Sequence, residues 1–250
     1  MGDAFAELTP PYSTIVADPP WHYDARVIEW GRSERMPYST MSLDEIAALP
    51  VADLSCPGAH LYLWTTNRYL EDTFDIARAW GFEPITTLVW CKPPKGLGPG
   101  GRFSVTTEFA LFCRDTRRSG EAIAKAREAQ GMGRGELHRL VRGGKPTGIV
   151  YRWEADDCLP TPEDWTNLQS VLPDLEGLPY PDVVVSEMEK VDSTWFEWAR
   201  KGGHSAKPDA FIDMVERVSP GPYVELFCRR PRLGWDSWGY GYEQNRKGAA

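Results

Sequence analysis

The stretch best suited to chemistry is Asp18-Pro19-Pro20-Trp21, which follows an apolar, β-branched run over residues 12–17. Such a run predicts a buried strand, and open α/β sheets bind their ligands where strands end. Two successive prolines fix two φ angles and remove two backbone donors, so the Asp18 and Pro19 carbonyls need not join a following helix. A carboxylate, carbonyl oxygens and an indole can together bind an exocyclic amine and its ring. The alternative is an ordinary turn with Trp21 as core filler.

The elements around this turn alternate between strand and helix. A strand over 60–65, a helix over 68–80 and a strand over 82–90 form a βαβ unit, which predicts a parallel sheet. Ser42 followed by Glu45 predicts a capping box at a helix start. Further strands are predicted over 103–112, 181–187 and 223–230, and a helix after residue 208. Residues 191–203, with Trp195 and Trp198, are interpreted as a mobile loop over the site. The pattern predicts an α/β fold.

Composition restricts the class of protein. The chain has 250 residues, is 42% hydrophobic and has no apolar run long enough to span a membrane. It has no signal-like N-terminus, and its five scattered cysteines predict reduced thiols in a cytoplasmic protein without a metal centre. The net charge of −8 is unevenly distributed: residues 115–152 carry nine basic and four acidic residues, so this segment is +5 and the remainder −13. A basic patch on an acidic body predicts local contact with phosphate.

The basic segment also interrupts the α/β pattern. Helices are predicted over 121–130, 135–141 and about 147–154, and another after the cap residue Thr161. The segment resembles the Cro/C1-type helix-turn-helix through Arg127-Glu128-Ala129, Glu136-Leu137 and Trp153-Glu154. That motif places its third helix in the major groove of DNA. The resemblance implies that Thr147, Tyr151 and Arg152 contact bases or phosphates and that Arg142 and Lys145 contact the DNA backbone. The alternative is a helical decoration, or a unit that packs on a partner.

Asp18-Pro19-Pro20-Trp21 resembles the amino-group-binding motif of the MT-A70-like N6-adenine methyltransferases. Tyr38-Ser39-Thr40-Met41, His204-Ser205-Ala206-Lys207-Pro208-Asp209 and Glu225-Leu226-Phe227-Cys228-Arg229 are similar to later motifs of that family. The resemblance implies that Asp18, Pro19, Pro20 and Trp21 form the catalytic motif. It implies that S-adenosylmethionine is bound by Asp18, His204, Ser205, Lys207, Glu225, Phe227 and Arg229. It places Tyr38, Lys92 and Glu108 near the substrate.

Together these features predict a Rossmann-like α/β methyltransferase domain with permuted motif order, formed by residues 1–114 and 177–250. A small all-α helix-turn-helix module, residues 115–176, is inserted in it. The predicted function is site-specific methylation of adenine N6 in duplex DNA, with S-adenosylmethionine as cofactor and no membrane partner; the oligomeric state is left open. The alternatives are an RNA adenine methyltransferase of the same family and a non-catalytic DNA-binding protein that retains the fold.

Overall fold

In the computed structural model, the described residues are 5–22, 40–92, 105–116, 119–155, 158, 160–178, 189–199 and 207–239. Their strands are β1 (Tyr12–Ala17), β2 (Ser55–Thr65), β3 (Phe82–Cys91), β4 (Thr107–Asp115), β5 (Trp195–Phe196), β6 (Tyr223–Leu226) and β7 (Trp235–Trp238). Their α-helices are α1 (Leu43–Ala47), α2 (Leu70–Ala79), α3 (Ser119–Ala129), α4 (Arg134–Arg142), α5 (Ile149–Glu154), α6 (Pro162–Val171) and α7 (Asp209–Val218). The strand predicted over 181–187 lies outside the described residues.

The strands form one seven-stranded sheet in the order β5-β3-β4-β2-β1-β6-β7. Strands β2, β1, β6 and β7 run parallel to one another and β5 runs parallel to β3, whereas β4 is antiparallel to both β2 and β3. The expectation of a parallel sheet is therefore wrong for β4. The connection from β3 to β4 is glycine-rich and unsuited to a crossover helix, and a chain that returns without a crossover pairs antiparallel. The mixed sheet is consistent with a Rossmann-like methyltransferase fold.

Side chains alternate between the two faces of the sheet and build a core on each. Ile15 and Leu61 face one side, where they pack with residues of α1 and α2 such as Ile46. Val16 and Tyr62 face the other side and pack against α7. Helices therefore cover both faces, and the carboxyl ends of β1, β2 and β6 meet at one edge between them.

Local signals set several element boundaries. The predicted capping box is confirmed, because Ser42 and Glu45 exchange hydrogen bonds at the start of α1. Thr161 caps α6 in the same way with Asp164, and Pro162 occupies the first turn as predicted. Residues 195 and 196, interpreted as part of a mobile loop, instead form the edge strand β5 beside β3.

Helices α3 to α6 enclose a hydrophobic core of their own. Ile123, Leu137 and Trp153 lie at its centre, fully or almost fully buried. Arg127 on α3 is buried beside it and donates from Nε to Glu154 Oε1 of α5 at 2.5 Å. Leu178 packs against both this core and the core of the sheet. We refer to residues 119–178 as the helical unit.

Among the helices of the described residues, none has the length and apolar character needed to cross a bilayer. Within the same part of the chain, no three or more His, Cys, Asp and Glu side chains come together as metal ligands.

Candidate active site at one edge of the sheet

The site is built where four strands bring polar residues to one edge of the sheet. Asp18 directly follows β1, and its N–H donates to the carbonyl of Leu226 at the end of β6. Lys92 directly follows β3, and Glu108 lies opposite Trp90 near the start of antiparallel β4. Because β4 runs against its neighbours, its beginning meets their carboxyl ends. This reversal brings Glu108 into the site.

Four charged side chains form a continuous network at this edge. Lys207 Nζ, just before α7, lies 3.0 Å from Asp18 Oδ1 and 3.0 Å from Glu108 Oε2. The other oxygen of Glu108 accepts a hydrogen bond from Lys92 Nζ. Positive and negative groups alternate, and the four side chains are only 10–17% exposed. We refer to Asp18, Lys207, Glu108 and Lys92 as the ionic cluster.

The neighbours of Glu108 and Lys207 stabilise the charged form of each. Burial alone would raise the pKa of Glu108, but the positive charges of Lys207 and Lys92 outweigh it and lower the pKa. Burial alone would lower the pKa of Lys207, yet Asp18 and Glu108 raise it. Trp64 adds to this effect, because its ring lies 4.7 Å beneath Lys207 Nζ in a cation–π contact.

The Asp-Pro-Pro-Trp turn is held more firmly than its sequence indicated. The Pro19 carbonyl accepts the N–H of Trp21 at 2.9 Å, and the Pro20 carbonyl accepts the N–H of Met41 at 2.9 Å. As expected, the Pro19 carbonyl does not join a following helix, but it does accept a hydrogen bond within the turn, and its second lone pair can accept another. The Trp21 indole is 4% exposed and stacks on Tyr69 with ring centroids 5.3 Å apart. In this conformation Trp21 is packed in the core, which agrees with the alternative that it serves only to fill the core after an ordinary turn. Its contact with a base stays a prediction.

The end of β6 carries the next predicted group of residues. Glu225 pairs with Val16 across β1, close to Asp18. Burial raises the pKa of the Glu225 carboxyl. The positive charge of Arg232, whose Nε lies 4.0 Å from Glu225 Oε2, opposes this shift but does not cancel it. Phe227 adopts a left-handed conformation with φ of 61°, which costs about 1 kcal/mol or more in a residue with a side chain. Arg229 follows and is partly buried. The backbone changes direction here, and the Cys228 N–H donates to the Trp238 carbonyl at 2.9 Å.

Three of the predicted site residues, Tyr38, His204 and Ser205, lie outside the described residues. The other predicted methyltransferase residues gather at the one edge. Sequence reasoning missed the role of Glu108 as a bridge between two lysines, because nothing in the local sequence relates it to Lys207. It also missed the aromatic residues beneath the lysines, Trp64 and Trp90, which were interpreted only as strand residues.

The residues predicted to contact DNA lie on the helical unit. Val150 and Trp153 of α5 are buried, so the intervening Tyr151 and Arg152 face outward, and Tyr151 is 58% exposed. The guanidinium of Arg134 lies 5.5 Å over the Tyr151 ring. Lys145 and Thr147, in the turn before α5, are also exposed.

Arg142 has a different environment from its predicted neighbours. Its Nε donates to Asp164 Oδ1 at 2.6 Å, and its Nη2 donates to the other oxygen of the same carboxylate. Its guanidinium also lies 5.2 Å over the ring of Trp153. The structure therefore gives Arg142 a partner inside the helical unit, where the sequence interpretation expected a DNA phosphate.

The fold and the site together define a protein similar to adenine N6 methyltransferases. The family model MT-A70 matches residues 12–99, which include the Asp-Pro-Pro-Trp turn and Lys92. The type II methyltransferase M.MunI of Mycoplasma sp is 24% identical over 254 residues, covering 94% of this chain and 79% of that protein. An N(6)-adenosine-methyltransferase MT-A70-like protein of Drosophila melanogaster is 26% identical over 87% of this chain. The human N(6)-adenosine-methyltransferase catalytic subunit METTL3 is 24% identical over 87%. The chain spans 24% and 26% of the length of these last two relatives.

Proposed function

We propose that this protein transfers a methyl group from S-adenosylmethionine to N6 of adenine in duplex DNA. The observation that carries the proposal is the contact of Lys207 with Asp18 at the sheet edge. The resemblance assigns Lys207 to the cofactor and Asp18 to the amine of the substrate, and the two residues lie far apart in the chain. Their meeting beside Glu225 brings an amine acceptor and a set of cofactor contacts into one site.

The side chains present suit the cofactor. A lysine ammonium has three N–H groups, and Asp18 and Glu108 each engage Lys207, so one N–H can bind the carboxylate of the methionine moiety. The positive end of the α7 dipole, directly after Lys207, favours the same anionic group. Glu225, at the end of β6, can accept hydrogen bonds from both ribose hydroxyls. The bound cofactor would supply an electrophilic methyl group on a positively charged sulfur.

The role of Asp18 is to bind and orient the amine. The nitrogen lone pair of an adenine amine is delocalised into the ring, which makes it a poor nucleophile. Hydrogen bonds from N6–H to Asp18 and to the remaining lone pair of the Pro19 carbonyl favour a tetrahedral nitrogen and free that lone pair for attack. On methyl transfer the amine nitrogen would lose one proton, which Asp18 would accept and pass to water. Alignment of the reacting groups supplies up to about 7–11 kcal/mol.

The helical unit supports duplex DNA as the substrate. We propose that residues 115–176 form an inserted helix-turn-helix module in which α5 enters the major groove. Its outward residues Tyr151 and Arg152, with Lys145 and Thr147 before them, would contact bases and phosphates. The major groove of B-form DNA admits a helix, whereas that of A-form RNA is too narrow. Residues 115–152, which include the outward residues of α5, carry a net charge of +5, whereas the seven acidic residues of 153–176 bring the whole module to −2. The attraction to phosphate is therefore assigned to the first part of the module.

Asp18→Asn tests the chemistry. The variant keeps the size of the side chain but places an N–H₂ group where an acceptor is needed, so we expect methyl transfer to fall at least about 100-fold. The measurement is incorporation of labelled methyl groups from S-adenosylmethionine into unmethylated genomic DNA, followed by nucleoside digestion. The control is Asp75→Asn on the exposed surface of α2, which should match the wild type. Near-normal turnover by Asp18→Asn would refute the proposed mechanism.

RNA is the second candidate substrate, because relatives of this chain are named as adenosine methyltransferases. The same labelling assay with cellular RNA separates the two. Label in N6-methyladenine from DNA alone supports the proposal. Label from RNA alone keeps the chemistry and removes the role proposed for the helical unit.

A further inference from the structure

A stacked pair of aromatic side chains lies beside the ionic cluster. The rings of Phe196 and Trp198 are 4.2 Å apart with planes only 12° from parallel. Phe196 pairs with Trp90 across β3, and Trp90 pairs with Glu108 across β4. Residues paired across neighbouring strands share a face of the sheet, and the strands are about 4.8 Å apart. Phe196 therefore lies two strand spacings from Glu108, on the same face.

The pair is fixed in position. The indole N–H of Trp90 donates to the Trp198 carbonyl at 3.0 Å, and the N–H of Val89 donates to the Thr194 carbonyl at 2.7 Å. The Trp198 ring also meets Phe211 of α7 edge to face, with centroids 6.0 Å apart. Even so, Trp198 is partly exposed. An anchored, partly exposed indole at the border of a site is suited to bind another flat ring.

An enzyme that modifies adenine in DNA takes the base out of the stack and needs flat surfaces for the displaced bases. Trp64 and Trp90, beneath the lysines, are buried. Trp21 is also buried and covered by Tyr69. Among Trp21, Trp64, Trp90 and Trp198, therefore, Trp198 is the one whose indole presents an accessible surface.

We propose that Trp198, supported by Phe196, stacks on the base next to the target adenine in the substrate strand. The inference rests on the proposed function. The position at the border of the ionic cluster, rather than above Asp18, fits the neighbouring nucleotide. Stacking is tolerant of sequence, so this contact holds the strand beside the site and leaves sequence discrimination to other residues.

The test separates substrate binding from chemistry. Trp198→Leu keeps an apolar side chain against Phe211 but removes the flat surface, and should raise the KM for unmethylated genomic DNA about tenfold. Its kcat and its affinity for S-adenosylmethionine, measured by calorimetry, should stay within about twofold of the wild type because Asp18 is untouched. Trp198→Phe should restore most of the affinity for DNA. The control is Trp195→Ala: the neighbouring indole points to the opposite face, is 52% exposed, and should change neither constant.

The outcomes are distinct. An unchanged KM in Trp198→Leu, with an active wild type, overturns this inference and leaves the proposed function standing. A loss confined to kcat, or an equal rise of KM in Trp195→Ala, also overturns it. A wild type that labels neither DNA nor RNA overturns both the inference and the proposed function.

Discussion

Replacing Glu108 with glutamine tests whether the ionic cluster stabilises the fold through charge. The substitution hardly changes the volume of the side chain. It removes the negative charge that lies between Lys207 and Lys92. An amide oxygen can accept a hydrogen bond from one lysine, but the amide N–H₂ group then faces the other. The cluster is left with two ammonium groups and the single carboxylate of Asp18.

The size of the effect follows from the distances and the burial. Opposite unit charges 3.0 Å apart attract by roughly 5–6 kcal/mol at an effective dielectric constant of about 20. Removing one partner of a buried pair costs about 3–5 kcal/mol. The side chains of Glu108 and Lys207 retain 10% and 17% exposure, so water can partly solvate the ammonium left behind. We expect Glu108→Gln to lower the free energy of unfolding by about 3 kcal/mol at neutral pH.

The pH dependence identifies charge as the cause. The pKa of Glu108 is lowered in the fold, so its contribution is complete above the ordinary glutamate pKa of about 4.3 and is lost as the pH falls through the lower value in the folded protein. The difference between wild type and variant should therefore be full near neutrality and shrink in acid. Burial lowers the pKa of His60 to about 4, which destabilises both proteins equally as the pH falls and cancels in the difference.

The measurement is urea unfolding followed by tryptophan fluorescence, at neutral pH and at several acid pH values. The matched control is Glu83→Gln, since Glu83 is 55% exposed and 3.9 Å from Arg78, and an exposed pair contributes less than about 1 kcal/mol. Equal stability of the two variants at neutral pH would refute the reasoning. A large difference that does not change with pH would show that packing, and not charge, was lost.

Two further predictions concern DNA and cofactor binding. Replacing Lys145 and Arg152 together by alanine should reduce the slope of log binding constant against log salt concentration by about 2, measured by fluorescence anisotropy with duplex DNA. The control is Arg142→Ala, which breaks the pair with Asp164 and should leave the slope unchanged. An equal reduction of the slope in both variants would contradict the assignment. Because the pKa of Glu225 is raised, its carboxylate takes up a proton at a higher pH than the carboxylate of an ordinary glutamate does when the solution is acidified. Affinity for S-adenosylmethionine should fall over that range by calorimetry, and Glu225→Gln should remove the dependence; an identical pH profile in the variant would contradict it.

Local elements were predictable because their signals are local. The apolar run over 12–17 became β1, and Ser42 and Thr161 cap the helices they were expected to cap. Each depends on residues within one turn or one strand. The edge strand β5 was missed, since two residues are too few to show a period.

The residues that form the site could be predicted only through the family resemblance. Their spatial arrangement could not be predicted from the sequence. An apolar strand pattern is the same whether the strand runs with or against its neighbours, so the pattern of β4 itself did not indicate its reversal. The signal lies in the glycine-rich connection before it, which is unsuited to a crossover helix. That reversal is what brings Glu108 between Lys92 and Lys207. Likewise, no local signal showed that Tyr69 would cover the ring of Trp21.

The separate core of the helical unit has an evolutionary consequence. A side chain at Leu137 or Trp153 is surrounded by residues of the same unit, so a change there is compensated within the unit and not in the sheet. The outward residues of α5 can therefore diverge, or a whole unit be exchanged, while Leu178 and its neighbours keep the junction intact. Under the proposed function, one methyltransferase scaffold would in this way acquire new recognition sequences through recombination at the two ends of residues 119–178, and chimaeras joined there are the starting point for engineered specificity.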